Sequence, residues 1–142
     1  MECREVVPGI LKLMECLKER LGSFSALLTG SWARGESRGA LSDVDVLIFA
    51  KPDPKAELCC WGLPYECDLI FVEPEKTRRL LEAGFIALLE GLWHGIWICR
   101  DEAASAVESA WRSFLAEHEV VRKGDYWVIR RRGRQPYNLA PG

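Results

Sequence analysis

Three short apolar segments with acidic residues at their ends constrain this chain more than any other feature. Phe24–Thr29 (Phe-Ser-Ala-Leu-Leu-Thr) reads as one buried strand, and Val44–Ala50 as a second. Glu66–Val72, which contains Asp68, is a third strand-like run. Side chains two apart in a strand share a face. Asp43 and Asp45 therefore point one way, while Val44, Val46 and Ile48 point the other way into a core. If the third strand pairs with the second, Asp43, Asp45 and Asp68 converge at one end of a sheet.

The remaining segments suit helices packed on that sheet. Pro8 sits well in a first helical turn. Ile10, Leu13, Met14, Leu17 and Leu21 follow at helical spacing, and Gly22 can end the helix. Lys51-Pro52-Asp53-Pro54 reads as a loop, and Ala56–Tyr65 has no clear pattern. Pro74 opens a second helix with Leu80, Leu81, Ala83, Leu88 and Leu89 among its apolar positions, closing near Gly91. Gly95–Cys99 reads as a further strand, and Asp101 can cap a helix to about Glu119, with Val107, Trp111, Phe114 and Leu115 inward. The order α-β-β-β-α-β-α argues for an α/β (α+β) fold, a mixed sheet of four to five strands covered by helices.

The acids also carry a chemical expectation. Adjacent carboxylates repel and raise one another's pKa unless a cation neutralises them. Mg²⁺ suits such a site, because it takes one or two carboxylates, several waters and the phosphates of a substrate. Upstream, Thr29-Gly30-Ser31 offers backbone and hydroxyl donors for phosphate oxygens. Each residue has an ordinary role as well: Ser31 as a helix N-cap, Asp68 as a solvated acid at a strand end, Ser42 and Asp43 at a turn. Their joint occurrence in this order favours a metal and phosphate site. Gly30–Gly35 with Ser37 nearly spells a P-loop, but Glu36 stands where a lysine should reach the phosphates. A carboxylate there would repel them, so the P-loop reading is rejected. Arg34 is the better phosphate ligand, since a guanidinium can grip phosphate with two bonds; the alternative is an ion pair, to Glu36 for instance.

Gly30-Ser31-x-Ala33-Arg34-Gly35, then Ser42-Asp43-x-Asp45 and a later Asp68, resembles the minimal nucleotidyltransferase family of the DNA polymerase β-like superfamily. The likeness covers roughly the first two-thirds of the chain. It implies that Gly30 and Ser31 grip a triphosphate, with Arg34 and Ser42 as further nucleotide-binding residues. It implies that Asp43 and Asp45 bind Mg²⁺, and that Asp68 completes the metal site and helps activate an attacking hydroxyl. The expected reaction moves a nucleoside monophosphate, AMP from ATP, to an acceptor hydroxyl. Members are often paired with a small helical HEPN-like toxin, so a protein partner, neutralised by binding or adenylylation, is a second expectation. A nucleotide-binding regulator without turnover is the third, and the intact acids argue against it.

Composition sets the setting. A 142-residue chain with 49% apolar residues can bury one core, and a single domain over 1–142 is expected. No apolar run reaches the roughly 20 residues needed to span a bilayer, and the charged start lacks a signal-peptide pattern, so the expected location is cytoplasmic. The six cysteines show no C-x-x-C spacing and only two histidines accompany them, which disfavours zinc. Most cysteines are read as buried thiols acting as small hydrophobes. One Asn and one Gln in the whole chain hint at a thermophilic source. Intracellular disulfides occur in such organisms, which leaves open a link from Cys59 or Cys60 to Cys67 or Cys99. Trp61, Trp93, Trp97 and Trp111 are read as packing, whereas Trp32 could border a nucleotide and stack on its base. His94 and His118 are read as surface or satisfied core residues. From about residue 120 a basic C-terminal arm carries Arg122, Lys123, Arg130, Arg131, Arg132 and Arg134 against Asp125 alone. It is read as a solvated tail or as an arm for phosphate, RNA or an acidic partner, with the last preferred over a part in the fold.

Overall fold

The structure is a computed structural model and describes residues 2–35 and 43–133. Five strands form one sheet: β1 (Glu2–Cys3), β2 (Ser25–Thr29), β3 (Val44–Phe49), β4 (Cys67–Val72) and β5 (Ile96–Arg100). Their order is β1-β5-β2-β3-β4. The β3–β4 pair is parallel and the others are antiparallel, so the sheet is mixed, as the sequence predicts. One face packs on α1 (Ile10–Leu21) and the 3₁₀ segment Ala56–Gly62. The side chains of Ala26, Leu28, Val44, Val46 and Ile48 enter that layer. The short helix α2 (Gly30–Ala33) follows β2 directly. The opposite face packs on α3 (Thr77–Glu82), α4 (Ile86–His94) and α5 (Glu102–Glu117), receiving Leu27, Leu47, Phe49 and Val72. Burial of a large apolar side chain contributes about 1.5–3 kcal/mol, and Phe24, Phe49 and Phe114 are among those fully enclosed.

Coverage on both faces explains why β3 is buried at every position except Asp45. Val44 and Asp45 do lie on opposite faces, Val44 in the α1 layer and Asp45 opposite Thr29 and Asp68. Further along, Leu47 and Phe49 fill the face that Asp45 begins, so the acids occupy only the end of an otherwise apolar layer.

Several expectations need correction. Pro8 precedes α1 and stays outside it; Gly9, with φ of +83°, stands at the start instead. The helix expected from Pro74 to Gly91 is broken into the 3₁₀ turn Pro74–Lys76, α3 and α4. Gly84, with φ of +76°, lies in the break. An apolar count at helical spacing does not register such a turn. The cysteines are not free thiols: Cys3–Cys99, Cys16–Cys59 and Cys60–Cys67 are disulfides. A cross-link spanning about 100 residues removes the most denatured-chain entropy, on the order of 4–5 kcal/mol in the chain-entropy model, and Cys3–Cys99 spans 96. Trp61 is 81% exposed and so is not core packing, whereas Trp93 does pack at an edge, against Trp111 and Trp127.

The basic arm is also revised. Residues 118–131 form a hairpin of β6 (His118–Lys123) and β7 (Tyr126–Arg131). Val120, Trp127 and Ile129 pack against the α4–α5 layer, so this part of the arm belongs to the fold. Period-two apolar residues between the charges (Val120, Trp127, Ile129) explain why. Arg134 lies outside the described residues. Among these, no helix is long and apolar enough to cross a membrane. His118 is buried, stacks on Phe114 with ring centroids 4.3 Å apart and shares a hydrogen bond with the Phe114 carbonyl.

Asp101 ties β2 to α5. Its carboxylate accepts from the Ala103 backbone N–H at 2.9 Å and from the hydroxyls of Ser23 and Ser25. Burial pushes its pKa up, but these bonds hold it below the usual carboxylate range. Asp101→Ala is expected to lower stability by about 1–2 kcal/mol, measured by urea unfolding. Since the folded pKa is depressed, the difference should be full at neutral pH and shrink as pH falls through the folded pKa of Asp101.

Candidate functional site

The site begins where β2 ends. Thr29 pairs with Asp45 across the antiparallel β2–β3 ladder, and Asp45 pairs with Asp68 across the parallel β3–β4 ladder. Directly opposed residues share a face, so Asp45 is flanked by Thr29 on one side and Asp68 on the other. Gly30, with φ of +75°, turns the chain over Asp45. A Cβ at Gly30 would stand 2.4 Å from Asp45 Oδ2. Glycine is therefore required twice over, for its backbone conformation and for the space the carboxylate occupies.

Asp43 stands exposed just before β3, and Asp68 is exposed on β4, the edge strand. Asp45 is half-buried, and its pKa is raised first by burial. The charges of Asp68 and Asp43 and a hydrogen bond with Asp68 push it the same way, while the Arg34 charge opposes them. The three acids thus act on one another electrostatically. Among the described residues, however, no three His, Cys, Asp or Glu side chains stand close enough to hold one ion between them. The facing pair Asp45 and Asp68 fits Mg²⁺ by chemistry, offering hard oxygen donors that repel one another, with waters and phosphate able to complete the set.

A cavity of about 240 Å³ opens beside Asp45, lined by Thr29, Gly30, Asp45, Arg34 and Glu90 among others; Asp43 and Asp68 do not line it. Ser31 is half-buried in α2. Ser42, Glu36 and Ser37 lie outside the described residues. Among the described residues Arg34 forms an ion pair with Glu90, Nη1 donating to Oε1 at 3.3 Å. Thr29 is 4% exposed, and its hydroxyl has no hydrogen-bond partner among the described residues. Trp32 has its ring 6.0 Å from that of Tyr65 and packs on the α1 side of the sheet; it does not line this cavity. His94 and His118 do not line it either. A larger cavity of about 380 Å³ runs along Trp61, Leu63 and Tyr65, but neither the three aspartates nor Gly30 line it.

Glu90 is the site residue that the sequence reading passed over; Thr29 was read as part of the Thr29-Gly30-Ser31 turn, and the structure sets it opposite Asp45. Glu90 could have been found: it interrupts the apolar run Leu88, Leu89, Leu92 and Trp93 on a helix that is otherwise hydrophobic.

The sequence profile of the nucleotidyltransferase domain family matches residues 10–94. No sequence among the curated proteins matches the chain. Solved structures are similar as well, two of them as follows. One is a toxin–antitoxin with AMP-PNP, 13% identical, with a TM-score of 0.48 over 76% of this chain and 88% of that one. The other is a mutant of the toxin–antitoxin MntA-HpeT, 13% identical, with a TM-score of 0.48 over 78% of this chain and 89% of that one.

Because its folded pKa is raised, Asp45 contributes stability at pH below its ordinary value of 3.8, and that contribution is lost as pH rises through the folded pKa. In metal-free buffer Asp45→Asn is accordingly expected to be more stable than the parent protein at pH 7. The advantage should vanish as pH falls to about 4, measured as the difference in urea midpoint across a pH series.

Proposed function

Because this chain belongs to the nucleotidyltransferase domain family, we propose that it moves AMP from ATP to an acceptor hydroxyl, with Asp45 and Asp68 holding Mg²⁺ and Asp43 adding its charge beside them. The observation that carries this reading is the placement of Asp45. It is opposed by Thr29 and Asp68, covered by Gly30, and faces a cavity that Arg34 also lines. Bound Mg²⁺ would neutralise the acids and the phosphate oxygens and favour in-line displacement at the α-phosphorus.

The chain's own residues do the rest. Gly30 lets phosphate come close to the backbone, the Ser31 hydroxyl donates to a phosphate oxygen, and Ser42 is assigned beside it. Arg34 balances the charge that builds on the departing pyrophosphate. Asp68, exposed at the sheet edge, accepts the proton of the acceptor hydroxyl as its oxygen bonds to phosphorus and the bond to the β-phosphate oxygen breaks.

The cavity is small beside the roughly 300–1,000 Å³ typical of ligand clefts, and two of the acids are exposed. A hydroxyl presented by a macromolecule suits that shape better than an enclosed small acceptor. The family resemblance makes a small helical HEPN-like protein the preferred partner, as acceptor or as a toxin neutralised by binding. The cytoplasm is the proposed location, and disulfides are compatible with it in hyperthermophiles.

The test is incubation of the protein with each labelled triphosphate, Mg²⁺ and a candidate partner. Label should pass to the partner from ATP, and Asp43→Asn or Asp45→Asn should reduce transfer about a hundredfold or more. Mg²⁺ should raise the melting temperature of the parent protein but not of Asp45→Asn. Undiminished transfer in either variant would overturn the assignment.

A further inference from the structure

Glu90 is an unusual residue to line a phosphate cavity, because its charge repels phosphate. Two features of its surroundings account for it. Its side chain is only 16% exposed and lies between two arginines, Arg34 at 3.3 Å and Arg122, whose Nε is 3.3 Å from Oε2. The same Oε2 accepts a hydrogen bond from the Trp127 indole N–H at 2.9 Å. One carboxylate oxygen is thus held by two donors of the β6–β7 hairpin, and the other is directed to Arg34 at the cavity wall.

The hairpin is itself seated on the helix that carries Glu90. The Trp127 ring meets Trp93, one turn along α4, edge-on with centroids 5.3 Å apart. Trp93 in turn meets Trp111 of α5 at 6.3 Å. This aromatic contact fixes the indole N–H, the indole fixes the Glu90 carboxylate, and the carboxylate limits where the long Arg34 side chain can place its guanidinium. Guanidinium–carboxylate bonds are directional, so orientation passes along such a chain.

We propose that Glu90 is a positioning residue for Arg34, and that the β6–β7 hairpin, through Trp127 and Arg122, belongs to the triphosphate grip. The proposal rests on the reading of Arg34 as a triphosphate ligand. It gives the C-terminal basic segment a role within the molecule: Arg122 balances the acid that orients the phosphate-binding arginine. It also explains why a largely enclosed acid is placed where phosphate is to bind, since its charge directs the Arg34 guanidinium and pairs with Arg122.

The experiment measures binding of a non-hydrolysable ATP analogue with Mg²⁺ by isothermal titration to the full chain. The variants are Glu90→Gln, Trp127→Phe and Arg34→Ala, with each of the first two also made in the Arg34→Ala background. Arg34→Ala should weaken binding about tenfold or more, as expected for loss of a charge-assisted bond. Glu90→Gln and Trp127→Phe should each weaken it about three- to tenfold alone, yet less than about twofold once Arg34 is gone. A merely structural role predicts equal losses in both backgrounds, and that result would overturn the proposal. So would unchanged binding in both single variants beside a weakened Arg34→Ala. Unchanged binding in Arg34→Ala would overturn it through its premise, and absence of any binding by the parent protein would reject the nucleotide reading itself. If Trp127→Phe fails to fold, Glu90→Gln, nearly identical in shape, carries the test.

Discussion

Everything at this site depends on one carboxylate held at the end of a strand that is buried on both faces. Asp45 is the only residue of β3 that escapes full burial, and its position is determined from three directions. The ladders on either side set Thr29 and Asp68 opposite it, and the turn at Gly30 closes over it. A slip of one residue would turn Asp45 into the α1 layer and put Val44 and Val46 on the face that Leu47 and Phe49 now fill. The core therefore fixes the register, and the register fixes the acid. The electrostatic cost is visible in the raised pKa of Asp45, which burial and the neighbouring acids both produce. A divalent cation would relieve that cost, so the same feature that weakens the metal-free fold favours the ligand.

The second dependence runs through Glu90. Arg34 follows Asp45's neighbour Gly30 by only four residues, yet its partner comes from α4, 56 residues away. The C-terminal hairpin reaches that same partner. Elements remote in the chain thus meet at one carboxylate, and the cavity between β2, β3 and α4 is bounded by them. This is why the hairpin is better described as part of the domain architecture than as an appendage, despite its charge.

The disulfides reinforce the same frame. Cys3–Cys99 joins the two strands at one edge of the sheet, and Cys60–Cys67 joins the 3₁₀ segment to the first residue of β4, next to Asp68. Cys16–Cys59 ties α1 to that same segment. Two of the links fasten an edge strand, whose outer side hydrogen bonding alone leaves open, and the third joins two covering elements.

Much of this was legible in the residues themselves. The strands of Asp45 and Asp68, the helix from Ile10 and the cap at Asp101 follow from local periodicity, because a side chain's face is set by backbone geometry a few residues long. The nucleotidyltransferase family was legible for the same reason: its motif is mostly contiguous, running from Gly30 to Asp45. Local pattern could not say that Glu90 would meet Arg34, that all six cysteines would pair, or that Val120, Trp127 and Ile129 would turn a basic segment into a packed hairpin. The break at Gly84 was hidden because apolar spacing continues on both sides of it. These features depend on which surfaces meet after the chain has closed on itself, over separations of tens of residues. Sequence alone determined the elements, their faces and the acids they carry; the tertiary structure decided their neighbours, because contact is set by packing in space and not by distance along the chain.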